Sequence, residues 1–310
     1  MKRLSKSKAQ NFAILIFKYI ILTGLAFVIL YPMIIKLSLA FMNFEDIRDA
    51  TVRFIPKNFT LRNFILAAKN MGYFTSLFET IIHVVAISSI QVFFAMLTAY
   101  GFACFKFPGR GLLFAMVLVT LIIPPQVITV PLFLNLKSFD IFGIFKLLTG
   151  ETISLTGSPI PLYLMAATGL GLKNGLLIFI FRQFFKNFPK ELEESASIDG
   201  AGVFRTFISI VVPSALPMIL TAFLFSVVWQ WTDTFYTSTF MPTNHLLATE
   251  LELFTSQLSN VAEGSVIEAK YSVSLQNNAA ILLVMAPILI LFFVCQRYFV
   301  ESIERTGLVG

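Results

Sequence analysis

Residues 191–202 read ELEESASIDGAG, and they interrupt a chain that is otherwise oily. Four acids (Glu191, Glu193, Glu194 and Asp199) fall within nine residues, with long apolar stretches on both sides. Local chemistry predicts a helix, a turn and a second helix. Pro189 suits a first helical turn. The three glutamates favour the positive N-terminal end of a helix. Asp199-Gly200 is a turn signal that ends it. A second helix then starts near Gly202 and carries Phe204, Phe207 and Ile208 towards the next apolar stretch, in which Pro213 and Pro217 follow. By itself such an island also fits a plain solvated loop between two spans.

The composition identifies the solvent on either side. Of 310 residues, 57% are hydrophobic and 13% charged, and mean hydropathy is +0.82. Soluble domains carry roughly 25% charged residues, so a soluble fold of this length could not hide so much apolar surface. The 35 phenylalanines suit lipid-facing and helix-packing surfaces alike. The net charge of +6 does not indicate nucleic acid, because the basic residues mostly flank apolar runs, as membrane topology requires. Cys104 and Cys295 are the two cysteines, without disulfide or metal spacing, and read as packing residues.

About 20 apolar residues span a bilayer as a helix. Candidate spans are 14–36, 79–104, 111–135, 160–184, 207–231 and 274–298, which predicts an all-α integral membrane fold of six transmembrane helices. The fourth is the least regular, because Lys173 lies inside it. Strands are excluded by length and by lack of alternation. The N-terminus is basic and then apolar like a signal peptide. Its apolar part runs on to about Ile35, and no small-x-small cleavage site follows, so it reads as an uncleaved first helix after a tail at 1–13.

Lys and Arg placement favours both termini inside. Lys2, Arg3, Lys6, Lys8, Lys106, Arg110, Arg182, Lys186, Lys190, Arg205, Arg297 and Arg305 then lie in mostly short cytoplasmic segments. The outer loops, 37–78, 136–159 and 232–273, are long and hold most of the acids. In the first of them, Thr60 suits the cap of a short helix at 61–69. With no linker, low-complexity segment or internal repeat, residues 1–310 read as one membrane domain.

The island's spacing carries a resemblance. Glu194-Ser195-Ala196, Gly200 six residues after the Glu, then Ile210-x-Val212-Pro213 resembles the "EAA" loop of ABC importer permeases: E-A-A, three residues, G, nine residues, I-x-L-P. Ser195 and Val212 are small departures. "AYGFACFKFPGR" (99–110), "FRQFFKNFPKELEESASIDGAGVFRTF" (181–207), "FLFSVVWQWTDTF" (223–235) and the tail "QRYFVESIERTGLVG" (296–310) resemble the carbohydrate-uptake branch, the maltose and multiple-sugar type. Thr232 stands where that branch usually has Asn, and Glu304 and Arg305 replace small residues. The resemblance covers about 75–310, with the permease core at 75–300. Segment 138–160 is longer than the branch leads one to expect.

The resemblance implies half of a membrane pore that imports sugar by alternating access. A second permease subunit would complete it, a different chain in a heterodimer being favoured over a second copy of this chain, which stays the alternative. Two cytosolic ATPase subunits would bind below and hold ATP and Mg, and an extracytoplasmic sugar-binding protein would dock above. The loop at 186–206 would be the coupling element, with Glu194, Ser195, Ala196, Asp199, Gly200 and Ala201 meeting an ATPase. These residues suit such docking, because Glu194 can pair with a basic group, Gly200 permits a close turn, and Ala196 and Ala201 allow close approach. The chain has no Gly-x-x-x-x-Gly-Lys-Ser/Thr motif to cradle ATP, and no metal-ligand spacing or nucleophile–base pair. A cargo other than sugar (peptide, polyamine or phosphate) is the alternative. A self-sufficient secondary transporter fits less well, because buried ionisable residues and a repeat are lacking.

Polar groups in transmembrane helices are candidates for the substrate path. Trp229, Gln230, Trp231 and Asp233 supply the stacking faces and hydrogen-bonding groups that sugars use, or else form an interfacial aromatic belt. Lys173 lies about 13 Å deeper than Arg182 along a continuous helix. It either faces the path or an acid, or sits in a wet pocket where "GLGLKNG" breaks the helix. Gln276, Asn277 and Asn278 either line the pore or bond between helices. His83 reads as a packed or interfacial histidine, and His245 lies in an outer loop.

Overall fold

The computed structural model describes residues 2–141, 143–263 and 267–307, and among them the secondary structure is helical apart from one isolated bridge, Phe139 to Ile153. In chain order the helices are α1 (Lys2–Phe41), α2 (Phe44–Arg48), α3 (Arg62–Asn70), α4 (Tyr73–Cys104), α5 (Arg110–Val119), α6 (Pro125–Lys137), α7 (Ile144–Thr149) and α8 (Ile160–Thr168). There follow α9 (Asn174–Lys186), α10 (Lys190–Ile198), α11 (Val203–Thr206), a π-helical turn (Phe207–Val211), α12 (Val212–Ser214), α13 (Leu216–Trp231), α14 (Phe235–Phe240), α15 (Leu247–Glu263) and α16 (Ile267–Gly307).

Among the described residues three helices hold stretches long and apolar enough to cross a membrane unbroken: Ile14–Phe41, Tyr73–Cys104 and Ala269–Gln296. The other three expected spans are not straight helices. The one expected at 111–135 breaks over 120–124, because Pro125 offers no N–H to the ladder and forces Pro124 into an extended conformation (ψ 136°). The one expected at 207–231 bends by 76° between Ser214 and Leu216. Pro213 and Pro217 remove the N–H groups that would reach Ser209 and Pro213, and Val212 N–H reaches back to the Phe207 carbonyl in a π turn. The one expected at 160–184 breaks at Gly169–Lys173. Gly169 closes α8 in the left-handed conformation, and Leu170 and Gly171 N–H both return to the Met165 carbonyl at 3.0 and 2.8 Å.

The chain forms two compact units. One comprises Met1–Tyr73 and Leu251–Pro287. Here Asn63 Nδ2 donates to the carbonyls of Ala40 and Met42 at 2.9 and 2.8 Å, tying α3 to the end of α1. Buried Asp46 accepts the Asn58 N–H and Nδ2, which closes the loop between α2 and α3. The short helix expected at 61–69 runs from Arg62 with Leu61 as its N-cap, and Thr60, one residue earlier than the cap, accepts Arg62 N–H on its Oγ1 at 3.1 Å. The Tyr73 hydroxyl donates to the Leu283 carbonyl at 3.0 Å, and Thr255 Oγ1 donates to Asn277 Oδ1 at 2.9 Å.

The other unit comprises Phe74–Glu250 and Ile288–Gly310. Its main core gathers Val92, Met96, Ala99 and Tyr100 of α4 with Phe114 of α5, Leu177, Phe181 and Phe185 of α9, Phe207 and Val211 of the π turn, and Ala222 of α13. Cys104 packs against this core. The closest approach within it is at Gly175, where an added Cβ would meet Thr120 Oγ1 at 2.7 Å and the Val117 carbonyl at 2.9 Å. A second core joins Ile87, Leu136, Leu162, Met165, Tyr236 and Phe240.

Candidate functional site

The break between α8 and α9 is the structural origin of the candidate site. Asn174 Nδ2 donates to the Ala166 carbonyl at 2.8 Å and staples the two half-helices together. Lys173, between them, has φ 57° and ψ 24°, and it is the only non-glycine residue with positive φ among the described residues. Left-handed backbone costs a side-chain-bearing residue about 1–2 kcal/mol, and such conformations cluster at functional sites.

The break is held from inside by a buried polar network that the sequence reading did not single out. Gln91 of α4 is fully buried. Its Nε2 donates to the Leu172 carbonyl at 2.6 Å. Its Oε1 accepts from Ser226 Oγ at 2.6 Å and from Gln230 Nε2 at 3.2 Å, both on α13. One amide therefore fixes the α8–α9 break and α13 to α4. Gln230, expected at the substrate path, is buried in this network instead. The available signal for Gln91 is its place as an amide in the apolar run AISSIQVFFAM (86–96), since a polar group there must find a partner.

On the open side of the break lies a cleft of about 280 Å³, lined by Leu172, Lys173, Trp229, Thr232, Asp233, Thr234 and Phe235. Lys173 Nζ stands 4.7 Å from the centre of the Trp229 ring, a cation–π distance. Phe225 stacks on Trp229 with centroids 5.8 Å apart and an interplanar angle of 12°. Asp233 accepts the N–H groups of Tyr236 and Thr237 at 3.3 and 3.1 Å and so caps α14. Burial raises its carboxyl above the usual range, and those N–H groups partly oppose the shift. Lys173, Trp229 and Asp233 thus come together, with Lys173 at a helix break rather than inside a continuous helix.

The remaining candidates lie elsewhere. Trp231 is buried and does not line the cleft. Gln276, Asn277 and Asn278 belong to the other unit. Gln276 Nε2 donates to Ser272 Oγ at 3.2 Å, Asn278 Nδ2 donates to the Ser274 carbonyl at 2.8 Å, and Asn277 takes the Thr255 bond. His83 is buried, with Nδ1 3.4 Å from the Tyr163 hydroxyl and the two rings stacked.

The charged island forms α10 and the turn after it. Ala201 N–H returns to the Ala196 carbonyl at 2.9 Å and Asp199 N–H to the Ser195 carbonyl at 3.0 Å, while Gly200 has φ 78°. That is a Schellman closure with glycine at the left-handed position. Ser195 Oγ donates back to the Glu191 carbonyl at 2.7 Å. Glu194, Ser195, Asp199 and Gly200 are exposed, Ala201 is partly exposed, and Ala196 is buried. Beside the acids stand uncovered apolar side chains, the most open being Ile198 at 87% exposure and Phe204 at 73%.

A helical membrane chain with a stiff, exposed helix–turn–helix between two of its apolar segments is built like a transport subunit that is worked from outside the bilayer. Residues 91–305 match the family of binding-protein-dependent transport system inner membrane components, and the chain belongs to that family. It is 26% identical over 282 residues to the probable ABC transporter permease protein YurM of Bacillus subtilis, which covers 91% of this chain and 84% of that protein. It is 28% identical over 257 residues to the alpha-glucoside transport system permease protein AglG of Rhizobium meliloti, across 82% of this chain and 62% of the relative. The sn-glycerol-3-phosphate transport system permease protein UgpE of Escherichia coli is 27% identical over 295 residues, across 91% and 93%. The fold matches a chain of a bacterial ABC transporter involved in the import of the acidic polysaccharide alginate. That match has a TM-score of 0.71 at 20% identity and covers 92% of this chain and 95% of the other.

Proposed function

We propose that this inner-membrane component passes carbohydrate or a closely related polyol through the membrane, driven by ATP hydrolysis in separate subunits. Membership of the family supports the transport role. The alpha-glucoside and sn-glycerol-3-phosphate relatives support a hydroxyl-rich cargo. In this reading six crossings place both termini in the cytoplasm. The broken pairs α5–α6 and α8–α9 and the bent pair Val203–Ser214 with Leu216–Trp231 each count as one crossing beside the three unbroken ones. At 1.5 Å per residue α8 and α9 are about 14 and 20 Å long, so neither spans a ~30 Å hydrocarbon core alone.

The observation that carries the coupling role is the α10 turn. A Schellman-closed helix has little freedom to deform, and Glu194 and Ile198 on its outer surface, with Phe204 of α11 beyond the turn, offer a charge and apolar knobs to a soluble partner. A nucleotide-driven push on this element would be delivered to α9 before it and to the bent segment after it. It would rock the halves of the transporter between inward- and outward-facing states. Lys173, Trp229 and Asp233 then line the cargo's path, where an aromatic face and hydrogen-bonding groups meet.

The partners in this reading are a second, different permease chain, two cytosolic ATPases and an extracytoplasmic binding protein. Purification of the tagged chain from mild-detergent membranes tests it. Co-purification of an ATPase and a second permease supports the proposal. Recovery of this chain alone, moving solute into liposomes without ATP, would replace it with secondary transport.

A further inference from the structure

Resting on the reading of the Lys173 cleft as part of the cargo path, we infer that the cargo carries an acidic group, a carboxylate or phosphate, and that Lys173 receives it. Lys173 occupies the left-handed backbone position that glycine takes at no steric cost, and the four preceding residues include two glycines, Gly169 and Gly171. A lysine in that position accepts strain to present its side chain. That side chain is not spent on an internal ion pair. Among the described residues the ion pairs are Lys57 with Asp49 and His245 with Glu250, so no carboxylate lies within 4.0 Å of Lys173 Nζ.

The indole of Trp229 steers the ammonium without neutralising it, because a ring quadrupole attracts a cation but carries no net charge. Phe225, stacked on Trp229, and Gln91, bonded to the Leu172 carbonyl, hold the indole and the break in place. The one acid in the lining is Asp233, and its oxygens already accept two N–H groups at the start of α14. Its charge is drawn towards that helix end, and the Lys173 ammonium is the cationic donor in the lining, with no carboxylate of the described residues in ion-pair range. Lysine has three N–H donors, and a carboxylate or phosphate on a sugar satisfies them better than hydroxyls do. Thr232 and Thr234 beside it can meet the neutral hydroxyls of the same ligand, and the cleft is large enough for one sugar residue.

Equilibrium binding to the assembled transporter in nanodiscs, without the binding protein, tests this. The probes are radiolabelled digalacturonate for a carboxylate, glucose 6-phosphate for a phosphate, and maltose and glucose as neutral counterparts. At least one acidic probe is expected to bind about tenfold or more tightly than its neutral counterpart, as a charged hydrogen bond allows, and to weaken as salt rises. Whichever acidic probe binds identifies the group. Lys173→Gly keeps the backbone conformation, so loss of the acidic preference in that variant and its return in Lys173→Arg would be effects of charge and not of folding. Equal binding of acidic and neutral probes, no binding of either acidic probe, or an acidic preference that survives Lys173→Gly would overturn the inference. Trp229→Ala separates it from the reading beneath: if Trp229→Ala leaves the binding of every probe unchanged, the cleft is not on the path at all.

Discussion

Gln91 and Leu172 lie 81 residues apart in sequence and are joined by a 2.6 Å hydrogen bond from the Gln91 amide to the Leu172 carbonyl. The bond gives a partner to a carbonyl of the break between α8 and α9. The same Gln91 side chain accepts from Ser226 and Gln230, so a single buried amide settles the needs of a helix break and of a neighbouring helix. Gln91→Leu removes all three bonds and leaves buried polar groups behind. Interhelical hydrogen bonds within membranes average about 0.6 kcal/mol, and an orphaned buried group costs about 1–3 kcal/mol. We expect a loss of about 1–3 kcal/mol, read as a lower thermal midpoint of the purified complex, with Gln91→Glu intermediate. An unchanged midpoint in Gln91→Leu would mean that the network does not hold the break.

The α10 turn makes a second prediction. Gly200 has open space where a Cβ would stand, so the penalty for replacing it is conformational, about 1–2 kcal/mol for a left-handed residue with a side chain. Asparagine tolerates that conformation best after glycine. Gly200→Asn is therefore expected to keep most ATPase stimulation by the binding protein. Gly200→Asp, which adds a charge to the docking face, and Glu194→Lys, which reverses one, are expected to lose it while the chain stays inserted in the membrane. Full stimulated ATPase activity and uptake in both charge variants would remove α10 as the coupling element.

Gly175 makes a third. An alanine methyl there would press on the Val117 carbonyl, a backbone atom that cannot swing away, as well as on Thr120 Oγ1. Overpacking of this kind costs about 1–3 kcal/mol. Gly175→Ala should lower the thermal midpoint of the complex, and Thr120→Ala in the same chain should recover only part of the loss, because the carbonyl contact remains. Full recovery in the double variant would show that α5 and α9 separate freely.

Much of this was legible in the residues and some was not, for physical reasons. Hydropathy located every apolar stretch, but a window of about 20 residues averages over Pro124-Pro125 and over Pro213 and Pro217. The breaks those prolines impose were written in the sequence and smoothed away. The α10 turn could be read closely, because acids, Asp-Gly and spacing are all local signals. The cleft could be read only in part. Trp229 and Trp231 are neighbours in the chain, but two residues on a helix are about 200° apart, so one faces the cleft and the other is buried. Gln230, between them, turns to Gln91, a partner 139 residues away that no local pattern announces. The close approach at Gly175 likewise depends on α5, and a glycine in an apolar helix does not say which neighbour it admits.

His245 and Glu250 make a prediction that depends on pH. His245 Nδ1 lies 2.7 Å from Glu250 Oε1, in the loop that leads into α15. The hydrogen bond and charge of Glu250 raise the imidazole above its ordinary value of 6.5. A raised value means that the folded chain holds the proton more tightly than the unfolded one, so the pair stabilises the fold fully below pH 6.5. That contribution disappears as pH rises through the higher folded-state value. The imidazole is largely exposed, so the effect is small and screened by salt. His245→Gln should therefore lower the thermal midpoint of the complex at about pH 6 in low salt and make little difference at about pH 8.5. An equal loss at both pH values would assign the effect of His245 to packing and not to its charge.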